Sequence, residues 1–303
     1  MKIALVGIGQ IARGQHVPAI SASPDWELAA TASHQGEVEG VESFADVHAL
    51  LAARPDIGTV SLAIPAVPRF EVAAAVLAAG RNLMLEKPPG ATLAEVHILR
   101  DMARAQGVSI FASWHSRMAH AVAAAKAWLA DKSIFTGRII WREDVRRWHP
   151  GQDWIFAPGG MGVFDPGINA LSILTEILPH PTHVLDAELD IPANRQAPIA
   201  ARLDLAGGIS ADFDFRQLGP QTWDMEFTTD AGPMALRMGG NLLEVGGQTV
   251  AGRDDIGGEY PALYGRMAAL VRSGASDLDL SPMVLTADAF TLGRRNAVAA
   301  FTF

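Results

Sequence analysis

Short runs of apolar residues recur through the first part of the chain. They lie at residues 2–6, 27–32, 59–64, 82–85 and 108–113. Nearly continuous apolar runs of this length are typical of strands that are buried on both faces of a parallel sheet. Stretches with helical spacing lie between them, at residues 70–79 and 93–106 among others. This alternation predicts a doubly wound α/β domain over residues 1–117.

The pattern changes after residue 117, where extended pieces separated by turn dipeptides such as Gly207-Gly208 follow one another. The extended pieces lie at residues 137–148, 183–191, 199–205, 208–215, 221–228, 233–238 and 241–245. Successive strands joined by turns predict a mostly antiparallel sheet, open on one face, in an α+β domain over residues 118–303. We expect a last helix at residues 282–300.

Composition narrows the classes of function. The 303 residues carry 24 basic and 33 acidic side chains, a net charge of −9, whereas nucleic-acid-binding proteins need a basic surface. The absence of cysteine excludes disulfides and thiol nucleophiles and fits a reducing cytoplasm. The longest apolar stretch, residues 72–79, is shorter than the ~20 residues of a membrane helix, and the histidines lack metal-ligand spacing. We therefore expect a soluble cytoplasmic protein without a metal, a membrane segment or a nucleic-acid partner.

A glycine-rich turn follows the first predicted strand and has the spacing G-x-G-x-x-A. The first glycine permits a tight turn, the second lets the backbone approach a pyrophosphate, and the small last residue lets the helix pack closely. A plain strand-to-helix turn is the alternative, but the position between a predicted strand and a predicted helix favours dinucleotide binding. We predict a Rossmann domain whose cofactor contacts Gly7, Ile8, Gly9, Gln10 and Ile11.

The second predicted strand ends in Thr31-Ala32-Ser33-His34-Gln35, without a carboxylate. Proteins that prefer NAD usually carry Asp or Glu here, which binds the ribose 2′-hydroxyl. A 2′-phosphate avoids a carboxylate, and the Ser33 hydroxyl and the His34 imidazole can donate hydrogen bonds to it. We predict that NADP is preferred and that NAD is also used. The alternative is that Ser33 and His34 are ordinary loop residues.

A lysine follows the strand predicted at residues 82–85, in the turn Glu86-Lys87-Pro88-Pro89-Gly90. Ligands bind at the carboxyl ends of strands in open α/β sheets, and proline prevents the strand from continuing. An isolated lysine in a turn is usually solvated. Glu-Lys-Pro behind an N-terminal dinucleotide turn, however, resembles the glucose–fructose oxidoreductase, inositol dehydrogenase and MocA (Gfo/Idh/MocA) family.

The resemblance spans essentially the whole chain. It implies a Rossmann domain followed by an α+β domain, whose open sheet often forms the interface of a homodimer or homotetramer. It also implies that Lys87 lies beside the nicotinamide and the substrate. We assign Ile64 and Glu86, together with Lys87, to the cofactor-binding residues.

A second family signature is a glycine pair, then Asp, then His four residues later. Residues 160–169 follow it with Asp165, but Asn169 replaces the histidine, and a neutral amide cannot accept a proton. This departure resembles the branch that oxidises the anomeric carbon of L-arabinose and D-galactose, where the aspartate works beside an asparagine. Two alternatives are that Asp165 is only a helix N-cap before Pro166, or that it belongs to a polar stripe on a solvent face.

The stretch at residues 137–148 alternates like a half-buried strand and places Glu143 among apolar neighbours. A buried carboxylate is costly unless it is paired or hydrogen-bonded, and the hydroxyls of a sugar would donate hydrogen bonds to it. Trp148 and His149 add an aromatic ring and a polar group, and His115 follows the fifth predicted strand. We assign these four residues to substrate binding. An arginine partner for Glu143 and an ordinary loop position for His149 are the alternatives.

These residues predict an NAD(P)-dependent dehydrogenase that oxidises the anomeric carbon of an aldopyranose to the lactone. By resemblance the monosaccharide is L-arabinose, D-galactose or D-fucose. Asp165 is the expected general base, Lys87 the cation that stabilises the developing alkoxide, and Asn169 their neighbour in the catalytic set. A neutral Lys87 as base is the reversed assignment. Oxidation of a ring hydroxyl of an inositol and a non-catalytic NADP-binding regulator are the alternative functions.

Overall fold

The structure, a computed structural model, describes residues 1–253 and 257–303 of the chain. Its contacts divide the chain into two compact units. The first comprises Met1–His115 and Gly258–Leu280, and the second comprises Ser116–Gly257 and Ser281–Phe303. The segment Gly258–Leu280 thus groups with the first unit, although it lies in the range 118–303 that the sequence assigns to the second domain.

The first unit contains a six-stranded parallel sheet. Its strands are β1 (Lys2–Val6), β2 (Glu27–Ala32), β3 (Glu42–Phe44), β4 (Thr59–Leu62), β5 (Asn82–Glu86) and β6 (Ile110–Ser113). They lie in the order β3-β2-β1-β4-β5-β6, and every pairing is parallel. The order changes direction between β1 and β4, and ligands of such sheets bind at the carboxyl ends of the strands beside that point. The predicted doubly wound α/β domain is confirmed.

Nine α-helices lie among the described residues of the two units. The α-helices are α1 (Val17–Ser21), α2 (Val47–Ala53), α3 (Arg69–Ala78), α4 (Leu93–Gln106), α5 (Val122–Leu129), α6 (Val145–Trp148), α7 (Phe164–Ile177), α8 (Glu259–Ser273) and α9 (Ser281–Leu292). A π-helical turn spans Ala12–His16, and 3-10 turns span His115–Met118, Asp153–Phe156 and Met238–Gly240.

Local capping explains the limits of α4. The Thr92 hydroxyl accepts a hydrogen bond from the Glu95 amide at 3.2 Å, and the Glu95 carboxylate accepts one from the Ala91 amide at 3.0 Å. These contacts satisfy amides at the start of the helix that have no partner within it. Gly107, with φ 66°, ends the helix in the left-handed conformation.

The second unit contains a nine-stranded sheet that also includes the strand after α9. Its strands are β7 (Ile134–Arg142), β8 (Val184–Pro192), β9 (Ala200–Leu205), β10 (Ile209–Asp214), β11 (Thr222–Thr229), β12 (Gly232–Arg237), β13 (Leu242–Val245), β14 (Gln248–Gly252) and β15 (Arg294–Val298). The order is β14-β13-β12-β11-β7-β10-β9-β8-β15. Only the β7–β10 and β8–β15 pairings are parallel among the described residues, so the predicted mostly antiparallel sheet is confirmed.

Two predicted elements are wrong at their ends. The strand expected at residues 137–148 stops at Arg142, because Asp144 caps α6 by accepting a hydrogen bond from the Arg146 amide at 3.0 Å. The helix expected at residues 282–300 ends at Leu292, and Arg294–Val298 instead pairs in parallel with β8. Pairing with a strand a hundred residues away leaves no local signal in the sequence.

The two faces of the nine-stranded sheet differ in chemistry. One face carries the apolar core of the unit, including Ile139, Phe213 and Met225, which are all buried. The opposite face carries alternating acidic and basic side chains that pair across neighbouring strands. The pairs are Arg142–Asp212, Arg202–Glu188, Arg294–Asp186 and Arg237–Asp224. The open face is therefore polar, and several of its charged side chains form ion pairs across neighbouring strands.

Candidate active site

The glycine-rich turn closes tightly between β1 and the helical segment that follows. Gly7 has φ 90°, and a Cβ there would lie 2.5 Å from Cγ2 of Ile64 and 2.9 Å from the Ala63 oxygen. The position therefore requires glycine. A Cβ at Gly9 would find its nearest neighbour, Oε1 of Gln35, at 3.7 Å, so the backbone beside it is open. A tight first turn and an open second glycine fit the pyrophosphate of a dinucleotide.

The end of β2 lies against this turn. The Ser33 hydroxyl oxygen accepts hydrogen bonds from the Ile8 amide at 3.2 Å and from the Gln35 amide at 3.0 Å. Ile8 is buried, whereas Gln10, Ile11 and His34 are exposed. The structure thus brings the residues predicted to bind the cofactor at the glycine turn and at the second strand into one place.

A buried arginine joins the loops after β4 and β5. The Arg69 side chain donates from Nε to the Ile64 carbonyl at 3.1 Å and also donates to the carbonyls of Glu86 and Pro88. Burial lowers the pKa of Arg69 to about 10, and the charge of Glu86 opposes that effect. Ile64 and Lys87 were singled out by sequence. The arginine fixes the backbone on both sides of Lys87, and nothing in its sequence context indicated this role.

Glu86 is the centre of a buried polar cluster in the first unit. Its carboxylate accepts hydrogen bonds from the Tyr260 hydroxyl at 2.7 Å and from the Lys87 amide at 2.7 Å, and Nε2 of His16 lies 3.1 Å away. Burial alone would raise the pKa of Glu86, but the hydrogen bond and the charge of His16 lower it to about 2. Glu86 therefore holds the Lys87 backbone as a carboxylate, and its assignment to the cofactor-binding residues stays a prediction.

His115 lies in the same unit as part of a second ion pair. Its Nδ1 is 2.7 Å from a carboxylate oxygen of Glu259, and its ring stacks on Tyr260 with centroids 5.6 Å apart. Burial opposes the charged form, but the Glu259 carboxylate raises the pKa of His115 above its usual value. The assignment of His115 to substrate binding stays a prediction.

In the second unit, Asp165 lies in the first turn of α7. The helix begins at Phe164 with Val163 as its N-cap, so the interpretation of Asp165 as an N-cap is wrong. The polar stripe consists of Asp165, Asn169, Ser172 and Glu176. It is not a solvent face either, because Ser172 is buried and donates its hydroxyl to the Asn169 carbonyl at 2.7 Å. Asn169 follows Asp165 by one turn, which places the two side chains on one side of the helix.

His149 contacts Asp165. Its Nε2 lies 3.2 Å from Oδ2 of Asp165, and its Nδ1 lies 3.3 Å from Oε1 of Gln152. The ring also meets Trp154 edge-on, with centroids 6.1 Å apart. The sequence singled out His149 and Asp165 separately, and the structure brings them together. This pair restores an imidazole beside the aspartate, although the histidine expected at position 169 is absent.

Glu143 is buried beside tryptophans. Its Oε1 accepts a hydrogen bond from Nε1 of Trp223 at 2.9 Å, and the Trp223 ring lies 6.1 Å from Trp141 and 6.2 Å from Trp148. The predicted apolar surroundings of Glu143 are therefore present, although it follows a strand rather than lying within one. Trp148 is exposed, with 39% of its surface accessible. Trp223 has no motif around it, so the sequence did not single it out.

Among residues 1–253 and 257–303, no helix is long and apolar enough to cross a membrane. The same residues contain no group of three or more His, Asp or Glu side chains arranged to hold a metal ion.

Comparisons with other proteins agree with this architecture. The profile of the oxidoreductase family with an NAD-binding Rossmann fold matches residues 1–113. Galactose 1-dehydrogenase of Pseudomonas fluorescens is 41% identical over 309 residues, which cover 99% of this chain and 98% of that protein. D-Galactose-1-dehydrogenase from Rhizobium etli, a crystal structure, is 50% identical with a TM-score of 0.95, over 99% of this chain and 97% of that one.

A more distant structure shares the fold alone. It is a 3-ketoreductase from Actinomadura kijaniata in complex with NADP and TDP-benzene, with 19% identity and a TM-score of 0.82 over 98% of this chain and 99% of that one. The full-length identity of 41% to the Pseudomonas protein, the Rossmann profile and the two-sheet architecture lead to one conclusion. The chain belongs to the Gfo/Idh/MocA family of NAD(P)-dependent oxidoreductases.

Proposed function

We propose that this protein oxidises the anomeric carbon of an aldopyranose to the aldonolactone. The candidate sugars are D-galactose, D-fucose and L-arabinose, with NADP as the preferred acceptor and NAD as an alternative. The observation that carries the proposal is the contact between Nε2 of His149 and Oδ2 of Asp165, which are 3.2 Å apart. Asn169 follows Asp165 by one turn of the same helix. The likeness to two galactose 1-dehydrogenases, at 41% and 50% identity, supports the choice of sugar.

The reaction removes two electrons and two hydrogens from the sugar. Bound NADP⁺ or NAD⁺ supplies the acceptor for the hydride that leaves C1. Asp165 accepts the proton of the C1 hydroxyl as the bond between C1 and its oxygen becomes double. The Lys87 ammonium stabilises the negative charge that develops on that oxygen, which is the role that a fixed cation serves best. The product is the lactone, and the reduced cofactor carries the hydride.

His149 and Asn169 position the carboxylate and the sugar. The imidazole contact fixes the orientation of Asp165, and the Asn169 amide can both donate to and accept from a hydroxyl. Glu143 and Trp148 recognise the ring. The Glu143 carboxylate is buried, so it needs hydrogen-bond donors, and a sugar hydroxyl can be one of them. The accessible Trp148 ring offers an apolar surface for the C–H face of a pyranose.

Substrate oxidation with purified protein tests the proposal. NADP⁺ or NAD⁺ is supplied with D-galactose, D-fucose, L-arabinose, D-glucose, D-mannose or myo-inositol, and reduced nicotinamide is followed by its absorbance. We expect turnover with the first three sugars, a higher kcat/KM with NADP⁺ than with NAD⁺, and little turnover with the other three compounds. Turnover with myo-inositol but with no aldose would overturn the proposal in favour of a ring-hydroxyl dehydrogenase.

We also propose a cytoplasmic homodimer or homotetramer that assembles through the open face of the nine-stranded sheet. The cross-strand ion pairs make this face polar, so its interface would resemble a wet, hydrogen-bonded one rather than a hydrophobic core. Light scattering on the eluting protein gives the mass in solution. A monomer at micromolar concentration would contradict the assembly, and it would leave the proposed reaction untouched.

A further inference from the structure

Arg13 reaches across the glycine-rich turn to the loop after β2. It follows the motif Gly7-Ile8-Gly9-Gln10-Ile11-Ala12 directly and is exposed. Its Nη1 donates to the Glu37 carbonyl at 3.1 Å, and its Nη2 would lie 2.3 Å from a Cβ at Gly36. The guanidinium therefore lies against a backbone segment whose glycine leaves room for it.

The same loop contains the groups that the sequence assigned to the cofactor. The Ser33 hydroxyl lies between the Ile8 and Gln35 amides, and the exposed His34 lies between Ser33 and Gly36 in the chain. Arg13 thus lies against Gly36 and Glu37, the second and third residues after His34. No carboxylate side chain pairs with Arg13 among residues 1–253 and 257–303, so its positive charge is not neutralised there.

The end of the second strand is the place where dinucleotide-binding sheets meet the adenosine ribose. The 2′-phosphate of NADP carries nearly two negative charges and three acceptor oxygens at neutral pH. An arginine suits it better than a histidine, because the planar guanidinium is always charged and donates two parallel hydrogen bonds to a phosphate. The hydrogen bond to Glu37 uses one of the five guanidinium N–H groups, which leaves donors for a ligand.

We propose that Arg13 is the residue that distinguishes NADP from NAD, by binding the 2′-phosphate, with Ser33 and His34 as its neighbours. The inference rests on the proposed function, since it deepens the cofactor preference stated there. It assigns the largest part of that preference to the helix after the glycine motif rather than to the end of the second strand. The contact with the Glu37 carbonyl places the guanidinium there before the cofactor arrives.

Calorimetric titration of the complete protein with NADP⁺ and with NAD⁺ tests this inference without any turnover. The two cofactors differ only by the 2′-phosphate, so the ratio of their Kd values isolates it. In Arg13→Ala we expect the Kd for NADP⁺ to rise about tenfold to a hundredfold, the range of a lost hydrogen bond to a charged group. The Kd for NAD⁺ should stay within about twofold, since that ligand lacks the phosphate, and this value also shows that the variant is folded.

Two controls sharpen the result. Arg104→Ala removes the same charge from an 81% exposed side chain of α4, and it should leave both Kd values unchanged. His34→Ala should raise the Kd for NADP⁺ less than Arg13→Ala does. Unchanged binding of both cofactors to Arg13→Ala, or an equal loss for both, would overturn the inference while the proposed function stands. Failure of the wild-type protein to bind either cofactor would overturn both.

Discussion

Asp165 shares the first turn of α7 with apolar residues, and its carboxylate contacts the imidazole of His149 at 3.2 Å. Replacing Asp165 by Asn keeps the size of the side chain but removes its ability to accept a proton. We expect kcat to fall about 10² to 10⁴-fold, the usual contribution of a general base. Binding of NADPH, measured by its fluorescence, should be unchanged. Retention of kcat within a few fold would show that Asp165 is a structural residue.

His149 acts through Asp165 in this account, so the two substitutions should not be additive. His149→Ala alone should lower kcat/KM about tenfold or more, which is the loss expected for a hydrogen bond to a charged group. The same change in Asp165→Asn should add little, because coupled residues lose their interaction once. His183→Ala, an exposed histidine of the same unit, is the matched control and should have no effect. Fully additive losses would contradict the coupling.

Some residues of the candidate site stand in recognisable sequence motifs, whereas others are identified only by their contacts in the structure. Lys87 and Asp165 stand in local motifs, so the sequence alone singles them out. His16, Arg69 and Tyr260 are not singled out, because their contacts with Glu86 or with its flanking loops join segments that are far apart in the chain. Arg13, which we propose binds the 2′-phosphate, leaves only a weak signal, a basic side chain directly after the glycine-rich turn.

At the scale of elements, the loop before α7 determines where Asp165 lies. A Cβ at Gly160 would lie 2.4 Å from the backbone oxygens of both Trp154 and Ile155. Gly160→Ala must therefore push apart the turn that precedes Asp165 and the 3-10 turn Asp153–Phe156, beside His149. We expect a loss of stability of about 1–3 kcal/mol, as for overpacking, together with reduced kcat. Thermal unfolding and steady-state kinetics measure the two effects.

The control for this change is Gly265→Ala. Gly265 lies within α8, and a Cβ there meets nothing within 4 Å. Because alanine is the better helix former, this variant should be more stable by about 1 kcal/mol and equally active. Equal stability changes in both variants would contradict the close approach at Gly160.

Element types were predicted well where burial alone sets the pattern. The apolar runs of β1, β2, β4, β5 and β6 and the alternating strands of the second sheet are all present. Prediction failed where a local cap or a distant partner decides. Asp144 ends the extended stretch that contains Glu143 by capping α6, and β15 exists because β8 offers it an edge. The short strand β3 was missed because its three residues carry too little pattern.

For the molecule as a whole, the buried cluster around Glu86 makes stability depend on acid pH. Glu86 has its pKa lowered from 4.5 to about 2 in the folded protein, despite the opposing effect of burial, by His16 and Tyr260 among others. The ionised carboxylate therefore stabilises the fold fully above pH 4.5, and this contribution is lost as the pH falls towards 2. The cluster includes Tyr260 from α8, so it also holds the returning segment Gly258–Leu280 to the first unit.

Glu86→Gln tests this dependence. We expect the free energy of unfolding in urea to fall less steeply for the variant than for the wild type as the pH decreases from 4.5 towards 2. At neutral pH the variant should already be less stable, because it lacks the charged acceptor of the Tyr260 and Lys87 hydrogen bonds. Parallel curves for the two proteins would show that Glu86 does not titrate with folding.

The central claim is that hydride leaves the anomeric carbon of a galacto-configured sugar. D-Galactose carrying deuterium at C1 alone, incubated with the protein and NADP⁺, tests it most directly. Mass spectrometry of the reduced cofactor and of the sugar product then locates the label. We expect one deuterium in NADPH and an unlabelled galactonolactone, or the acid that forms from it by hydrolysis. Reduced cofactor without deuterium, with the label still at C1 of the oxidised sugar, would contradict the account.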